Sequence, residues 1–403
     1  MGPITDDEIK AAIKKLKNNK APGVDGIPAE VLKSDINLNV NILRDLLNEI
    51  WEKEILPTQW KDGIIVRPYA ASGAERIKIK VSSIEEMTSD VTEQSPGEQL
   101  ERWMEHLPSV VTSQTQLKDL LIPGSHDSAT FDLDPAGGKA EDFSSYIKMA
   151  DEKIERWFKT QNLDFTEQLK IGVRYFDLRI IKHPETGDIR FVHGLFSRKT
   201  VIEYLKDIRK FLDENKKEVV LLDFNHLYNM GKHDHISLCT EMESTFNGMM
   251  LNRKKCLDND MLLSKMTLSK LWELNGRVVV MYVRKCPNNE YIWSRNEIDI
   301  LWPYTPNNEL VVKNLLDQYK GLYKKDIMVV WHGILTPHSD DNFSDRMERF
   351  KDLHEFVTPT TEVIVDWIKS LSDVPFNICC ADFVEEHDFV KTVINANIIP
   401  AIV

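Results

Sequence analysis

Val173-Arg174-Tyr175-Phe176-Asp177-Leu178-Arg179-Ile180 is the stretch of this 403-residue chain on which the reading of the fold turns. A strand sends successive side chains to opposite faces, so Tyr175, Asp177 and Arg179 share one face while Phe176, Leu178 and Ile180 share the other. An acid and a base on one side of an apolar strand belong where that side opens on a polar cavity. Working outward, further short apolar runs occur at 120–122, 189–192, 219–222, 278–283, 298–301, 327–330 and 377–380, with helical patterns such as 201–212 and 310–323 between them. This alternation predicts repeated β-α units. Eight strands suit a closed (β/α)8 barrel, and an open doubly wound sheet satisfies the same pattern, although no glycine-rich phosphate loop supports the open form.

Barrel enzymes carry their chemistry at the carboxyl ends of the strands. The first run leads into Gly124-Ser125-His126-Asp127-Ser128, the third into His193-Gly194, the fourth into Asp223-Phe224-Asn225-His226, the sixth into Trp302, the seventh into His332 and the last into Asp382. Singly, each is what a capping residue, a loop or rim packing would supply. Together, two histidines, an arginine and several carboxylates describe a site for an anionic phosphate with an acid and a base. No Gly-x-Ser-x-Gly elbow surrounds Ser125, which counts against a serine hydrolase.

Composition narrows the rest. A net charge of −13 argues against a protein that coats nucleic acid or adsorbs to anionic lipid through bulk charge. No apolar run approaches the roughly 20 residues of a membrane span, and the charged first 20 residues lack the apolar core of a signal peptide. Five cysteines with no C-x-x-C pair suit a reducing compartment, so the expected location is the cytoplasm, with Cys379 and Cys380 as core residues. All eleven histidines lie at or beyond His106, which places the chemistry after the first hundred residues. The expected division is a small helical appendage at 1–68, a polar linker at 69–99 and the barrel at 100–403.

Two resemblances add to this reading. The stretches "IPGSHDSATF", "FTEQLKIGVRYFDLRI", "IRFVHG", "VVLLDFNH" and "NICCADFVEEHDFVKTVINANII" resemble the phosphatidylinositol-specific phospholipase C X-domain-containing proteins. The resemblance implies a distorted TIM barrel that cleaves phosphatidylinositol to diacylglycerol and inositol 1,2-cyclic phosphate. In that scheme His126 is the general base held by Asp382, and His193 is the general acid helped by Asp127. Arg179 clamps the phosphate, and Asp177 positions Arg179 or the attacking hydroxyl. Asp223, Asn225, His332 and Trp302 are expected to contact substrate. The expected partner is an inositol phospholipid met transiently at a membrane surface by a monomer, with no nucleic acid, no cofactor and no metal, since Arg179 stands where calcium-using relatives carry a second acid. An inactive binding barrel and a metal-dependent phosphodiesterase are the alternatives. "AIKKLKNNKAPGVDGIPAEVLK" and "IWEKEILPTQWKDGIIVRP", within residues 4–68, resemble the opening of a non-long-terminal-repeat retrotransposon reverse transcriptase without its later paired aspartates.

Overall fold

A computed structural model of the chain describes residues 97, 99–140, 142, 151–284, 286, 289–320, 326–337, 343–371 and 377–398, with isolated positions 9, 10, 14, 33 and 40. The chain divides into two compact units, Met1–Glu93 with Pro400–Val403, and Gln94–Ile399. The expected reverse-transcriptase-like fragment and linker lie outside the described residues, apart from those isolated positions and residues 97 and 99.

Ten strands build the larger unit: β1 Ile122–Ser125, β2 Tyr175–Lys182, β3 Ile189–His193, β4 Leu195–Thr200, β5 Val220–Tyr228, β6 Val278–Tyr282, β7 Trp293–Ser294, β8 Ile298–Leu301, β9 Met328–His332 and β10 Ile378–Ala381. Eight of them run parallel in the order β7-β6-β5-β2-β1-β10-β9-β8. The last strand, β10, pairs with the first, and the two ends of the path, β7 and β8, are joined by one short turn, Arg295–Glu297. A doubly wound sheet reverses its strand order at a switch point instead. The fold is therefore an α/β barrel of the TIM type, distorted because no ladder joins β7 to β8 among the described residues.

The barrel core is apolar strand against apolar helix. β6 is buried along its whole length, as are Val220, Leu221 and Leu222 of β5. The helix Val201–Glu214 opens on a capping box between Thr200 and Glu203 and turns Tyr204, Leu205, Ile208, Phe211 and Leu212 inward. Strand β1 lies so close to its neighbours that a Cβ at Gly124 would stand 2.6 Å from Cys380 Sγ and 2.9 Å from Tyr175 Cδ1, so only glycine fits.

Four expectations change. The run 189–192 is not a barrel strand: β3 pairs antiparallel with the far end of β2 and with β4, forming a hairpin above the barrel. Its place in the circle is taken by β7, whose two residues are too few to show a period. β1 starts two residues later than its run suggested, because Pro123 and Gly124 read as a turn yet form the strand. The sulfurs of Cys239 and Cys286 are joined as a disulfide, where free thiols were expected, while Cys379 and Cys380 are buried core residues. Among the described residues no helix is long and apolar enough to cross a membrane.

At the amino ends of the strands, Arg174 and Glu218 form an ion pair at 2.8 Å with both side chains fully buried. Arg174 also donates to the carbonyls of Leu169, Val173 and Glu101, and Glu218 accepts from the backbone of Met104 and Glu105. The pair thereby ties β2 and β5 to the segment that enters the barrel. Removing one partner strands the other charge, so Glu218→Ala should lower the unfolding free energy by about 3–5 kcal/mol. Urea titration followed by circular dichroism measures this; a loss under about 1 kcal/mol would mean the pair is not what fastens that end.

Candidate active site

Ser125 and Ala381 are partners in the β1–β10 ladder, so His126 and Asp382 leave neighbouring strands at the same level. Nδ1 of His126 lies 2.7 Å from Oδ1 of Asp382. The carboxylate can only accept, so Nδ1 carries the hydrogen and Nε2 faces the cavity. Around Nε2 stand Asp127 Oδ2 at 3.2 Å, Arg179 Nη2 at 3.4 Å and Asp177 Oδ2 at 3.9 Å. Gln161 fastens both loops from outside, its amide donating to the carbonyls of His126 and Ala381 at 2.9 Å each, and Thr160 donates to the His126 carbonyl.

Asp127 and Asp177 organise the rest. Oδ1 of Asp127 lies 2.5 Å from Nε of Arg179, and Oδ2 lies 3.2 Å from Nε2 of His193. Nδ1 of His193 is 2.5 Å from the Phe158 carbonyl and donates to it. The hairpin thus folds His193 back over the mouth, which corrects the picture of a parallel strand delivering it. Between β2 and β5 the register slips at Leu178/Arg179, so Arg179 pairs with His226 and Asn225 is left unpaired. That bulge lets Asn225 donate to Asp177. His332 faces Asp177 at 3.6 Å, and Trp302 packs 5.2 Å from the His126 ring and 4.8 Å from the His332 ring. Asp223 accepts from Tyr175 at 2.8 Å and stands 3.4 Å from Arg295 and 3.5 Å from Asn225.

Every site residue expected from the sequence is thus in this mouth: eight touch His126 or its first neighbours, Asn225 among them through Asp177, and Asp223 joins through Asn225. Arg295, Gln161, Thr160 and the Phe158 carbonyl escaped notice. Arg295 comes from the turn between β7 and β8, Phe158 ends the helix Asp151–Phe158, and Thr160 and Gln161 lie in the loop after it, so no strand periodicity marks them.

Burial and charge set the protonation. Burial alone would depress His126, but the carboxylates of Asp127 and Asp382 outweigh it and raise its pKa to about 9. Burial lifts Asp127 to about 6 against the pull of Arg179. Asp177 is held well below the carboxylate range: burial pushes it up, but His332 and the charges of His126 and Arg179 prevail. His193 is pushed well below 6.5 by burial and by Arg179. Atoms of His126, Asp127 and Asp177 lie within 4.8 Å of one another, a spacing a cation could bridge. Within that group, Asp127 is already contacted by the Arg179 guanidinium.

Residues 153–284 match the family described as phosphatidylinositol-specific phospholipase C, X domain. A mouse protein, PI-PLC X domain-containing protein 3, is 33% identical over 309 residues, covering 73% of this chain and 92% of its own. This chain belongs to the PI-PLC X domain family. PI-PLC X domain-containing protein 2 of mouse is 31% identical over 308 residues, covering 73% of this chain and 87% of its own. In three dimensions, the phosphatidylinositol-specific phospholipase C of Listeria monocytogenes is similar with a TM-score of 0.53 at 17% identity, over 74% of this chain and 98% of that one. The Staphylococcus aureus enzyme gives a TM-score of 0.52 at 16% identity, over 75% and 99%. These two solved structures share the fold described above.

Asp382→Asn keeps the shape beside Nδ1 and removes a carboxylate that raises His126. The His126 titration, followed by NMR, should move down from about 9 by roughly one unit, ~1.4 kcal/mol. An unmoved midpoint would assign the elevation to Asp127 and Asp177.

Proposed function

We propose that the barrel is a metal-independent phosphodiesterase that cleaves phosphatidylinositol to diacylglycerol and inositol 1,2-cyclic phosphate. The supporting observation is the pairing of two imidazoles, His126 and His193, on one carboxylate beside the buried guanidinium of Arg179. In this reading Nε2 of neutral His126 takes the proton of the inositol 2-hydroxyl, whose oxygen attacks phosphorus. Asp382 holds the tautomer and favours the imidazolium that forms. Arg179 turns its fork onto the non-bridging oxygens as charge develops there. His193, protonated, gives its proton to the departing diacylglycerol oxygen, assisted by Asp127. The hydroxyl is already part of the substrate, so proximity comes with binding. Asp177, Asp223, Asn225, His332 and Trp302 surround the headgroup.

The protein works as a cytoplasmic monomer that meets the membrane transiently, a reducing setting to which the Cys239–Cys286 disulfide of the structure is an exception. The reverse-transcriptase-like stretch has no part in the chemistry, since every residue used lies at or beyond His126.

The test is incubation of the purified chain with phosphatidylinositol in excess chelator, with phosphorus NMR of the products. A cyclic inositol phosphate should appear. His126→Ala and His193→Ala should each reduce its formation by at least ~10²-fold while melting near the wild-type temperature. Activity that needs restored calcium or magnesium would overturn the role of Arg179, and no product in any condition would favour an inactive binding barrel.

The pH profile follows from the two imidazoles. Below the pKa of His193, well under 6.5, both rings are charged and no base remains; above that of His126, about 9, both are neutral and no acid remains. Turnover measured from pH 5 to 10 should therefore hold through neutrality and fall on an alkaline limb near 9. A rate still rising at pH 10 would remove His126 from the pair.

A further inference from the structure

One atom, Oδ2 of Asp127, stands 3.2 Å from Nε2 of His126 and 3.2 Å from Nε2 of His193. Those are the ring nitrogens turned toward Asp127, because Nδ1 of each ring is committed, to Asp382 and to the Phe158 carbonyl. Asp127 is 3% exposed and the two rings 6% and 8%, so solvent has little access to the triangle. Neither oxygen of Asp127 makes an aligned hydrogen bond, although both stand in ion-pair contact. An oxygen placed symmetrically between two imidazoles and saturated by neither is what a transferable proton requires.

The geometry points to Asp127 as a proton relay that carries a proton from Nε2 of His126 to Nε2 of His193 when a bound phosphodiester draws Arg179 away. This rests on the reaction proposed above and explains how the pair becomes charged for it. The N–H bond of the His126 imidazolium breaks as an O–H bond forms on Oδ2; that O–H then breaks as an N–H forms on His193. One proton moves, Asp127 ends as it began, and no electrons or co-reactants are involved.

Arg179 sets the direction. In the ligand-free site His126 holds the proton, facing Asp382 after β10, Asp177 and Arg179 on β2, His332 on β9 and Asp127 beside it. The charge of Arg179 holds Asp127 down and opposes a proton on His193. Once the guanidinium turns to a phosphate, Asp127 loses its counter-ion and becomes the stronger acceptor, and the phosphate anion favours a charged His193. Cleavage then reverses the arrangement, since His126 gains the hydroxyl proton and His193 loses its own. Each turnover consequently needs one passage across Asp127.

Asp127 has φ 41°, where glycine fits without strain and leaves room for a small carboxylate. Asp127→Gly is assayed for cyclic inositol phosphate from phosphatidylinositol with added formate or added nitrate. Both are planar monovalent anions, but only formate takes up a proton at usable pH. The variant should lose at least ~100-fold and recover about tenfold or more with formate, saturably, and not with nitrate. Rescue by both would make Asp127 a fixed charge, and rescue by neither in a variant that melts near wild type would remove the carried proton; either result overturns the relay. If the glycine variant does not fold, Asp127→Asn decides, since asparagine also tolerates this φ. The relay requires kcat to fall with KM within about threefold, whereas a carboxylate that only orients Arg179 would raise KM instead. A wild-type protein that forms no cyclic product sinks the underlying reaction, which is a separate outcome.

Discussion

Ser125 and Ala381 face each other in the parallel ladder between the first strand and the last, and the site depends on that register. A slip of one residue would turn His126 or Asp382 to the opposite face, because strand side chains alternate. The ladder joins residues 256 positions apart in sequence, the His126–Asp382 contact being its chemical product. Pairing the last strand with the first is thus also what brings His126 to Asp382. Gly124 permits it: with any side chain there, β1 could not approach Cys380 and Tyr175 as closely as it does.

From that anchor the charges follow in order. Three carboxylates, Asp127, Asp177 and Asp382, surround the first imidazole, and one guanidinium answers them. Burying this many charges is costly unless each is paired, which is why His126 holds its proton and Asp127 sits near the middle of the pH scale. The result is a mouth dense in titratable groups whose heavy atoms are held by packing. Trp302 and His332 wall one side of His126 edge-on, and the β3–β4 hairpin covers another with His193.

The strand Tyr175–Lys182 was legible because Asp177 and Arg179, two residues apart on one face, interrupt an otherwise apolar run and so stood out on it. His126, Asp382 and His332 were legible for a related reason, following apolar runs where barrel chemistry is expected. The hairpin was misread because an antiparallel strand has the same local pattern as a parallel one; only its partner distinguishes them. Trp293–Ser294 is too short for any pattern, and Arg295, in the turn directly after it, reaches Asp223 without a periodic signal. Gln161 acts through carbonyls 35 and 220 residues away, a contact that no local signal encodes. The Cys239–Cys286 pairing, 47 residues apart, likewise depends on where the helix Lys232–Thr245 packs.

The two ends of the barrel treat buried charge in opposite ways. At the amino end, Arg174 spends its donors on Glu218 and three carbonyls, and Glu218 accepts from two backbone amides as well. At the carboxyl end, both oxygens of Asp127, Nε of Arg179, Oδ1 of Asp223 and Nδ1 of His332 are buried without an aligned hydrogen bond. Asp127 and Phe383, which follow His126 and Asp382, moreover hold backbone angles of 41° and 45°, in the region that costs a side chain energy. Polar groups left unsatisfied in the interior each cost about 1–3 kcal/mol, so a fold tolerates them together only where other parts over-determine the geometry. The satisfied pair at one end, with the apolar strands between, provides that constraint; a phosphate with hydroxyls beside it is the kind of ligand that would complete the bonds missing at the other.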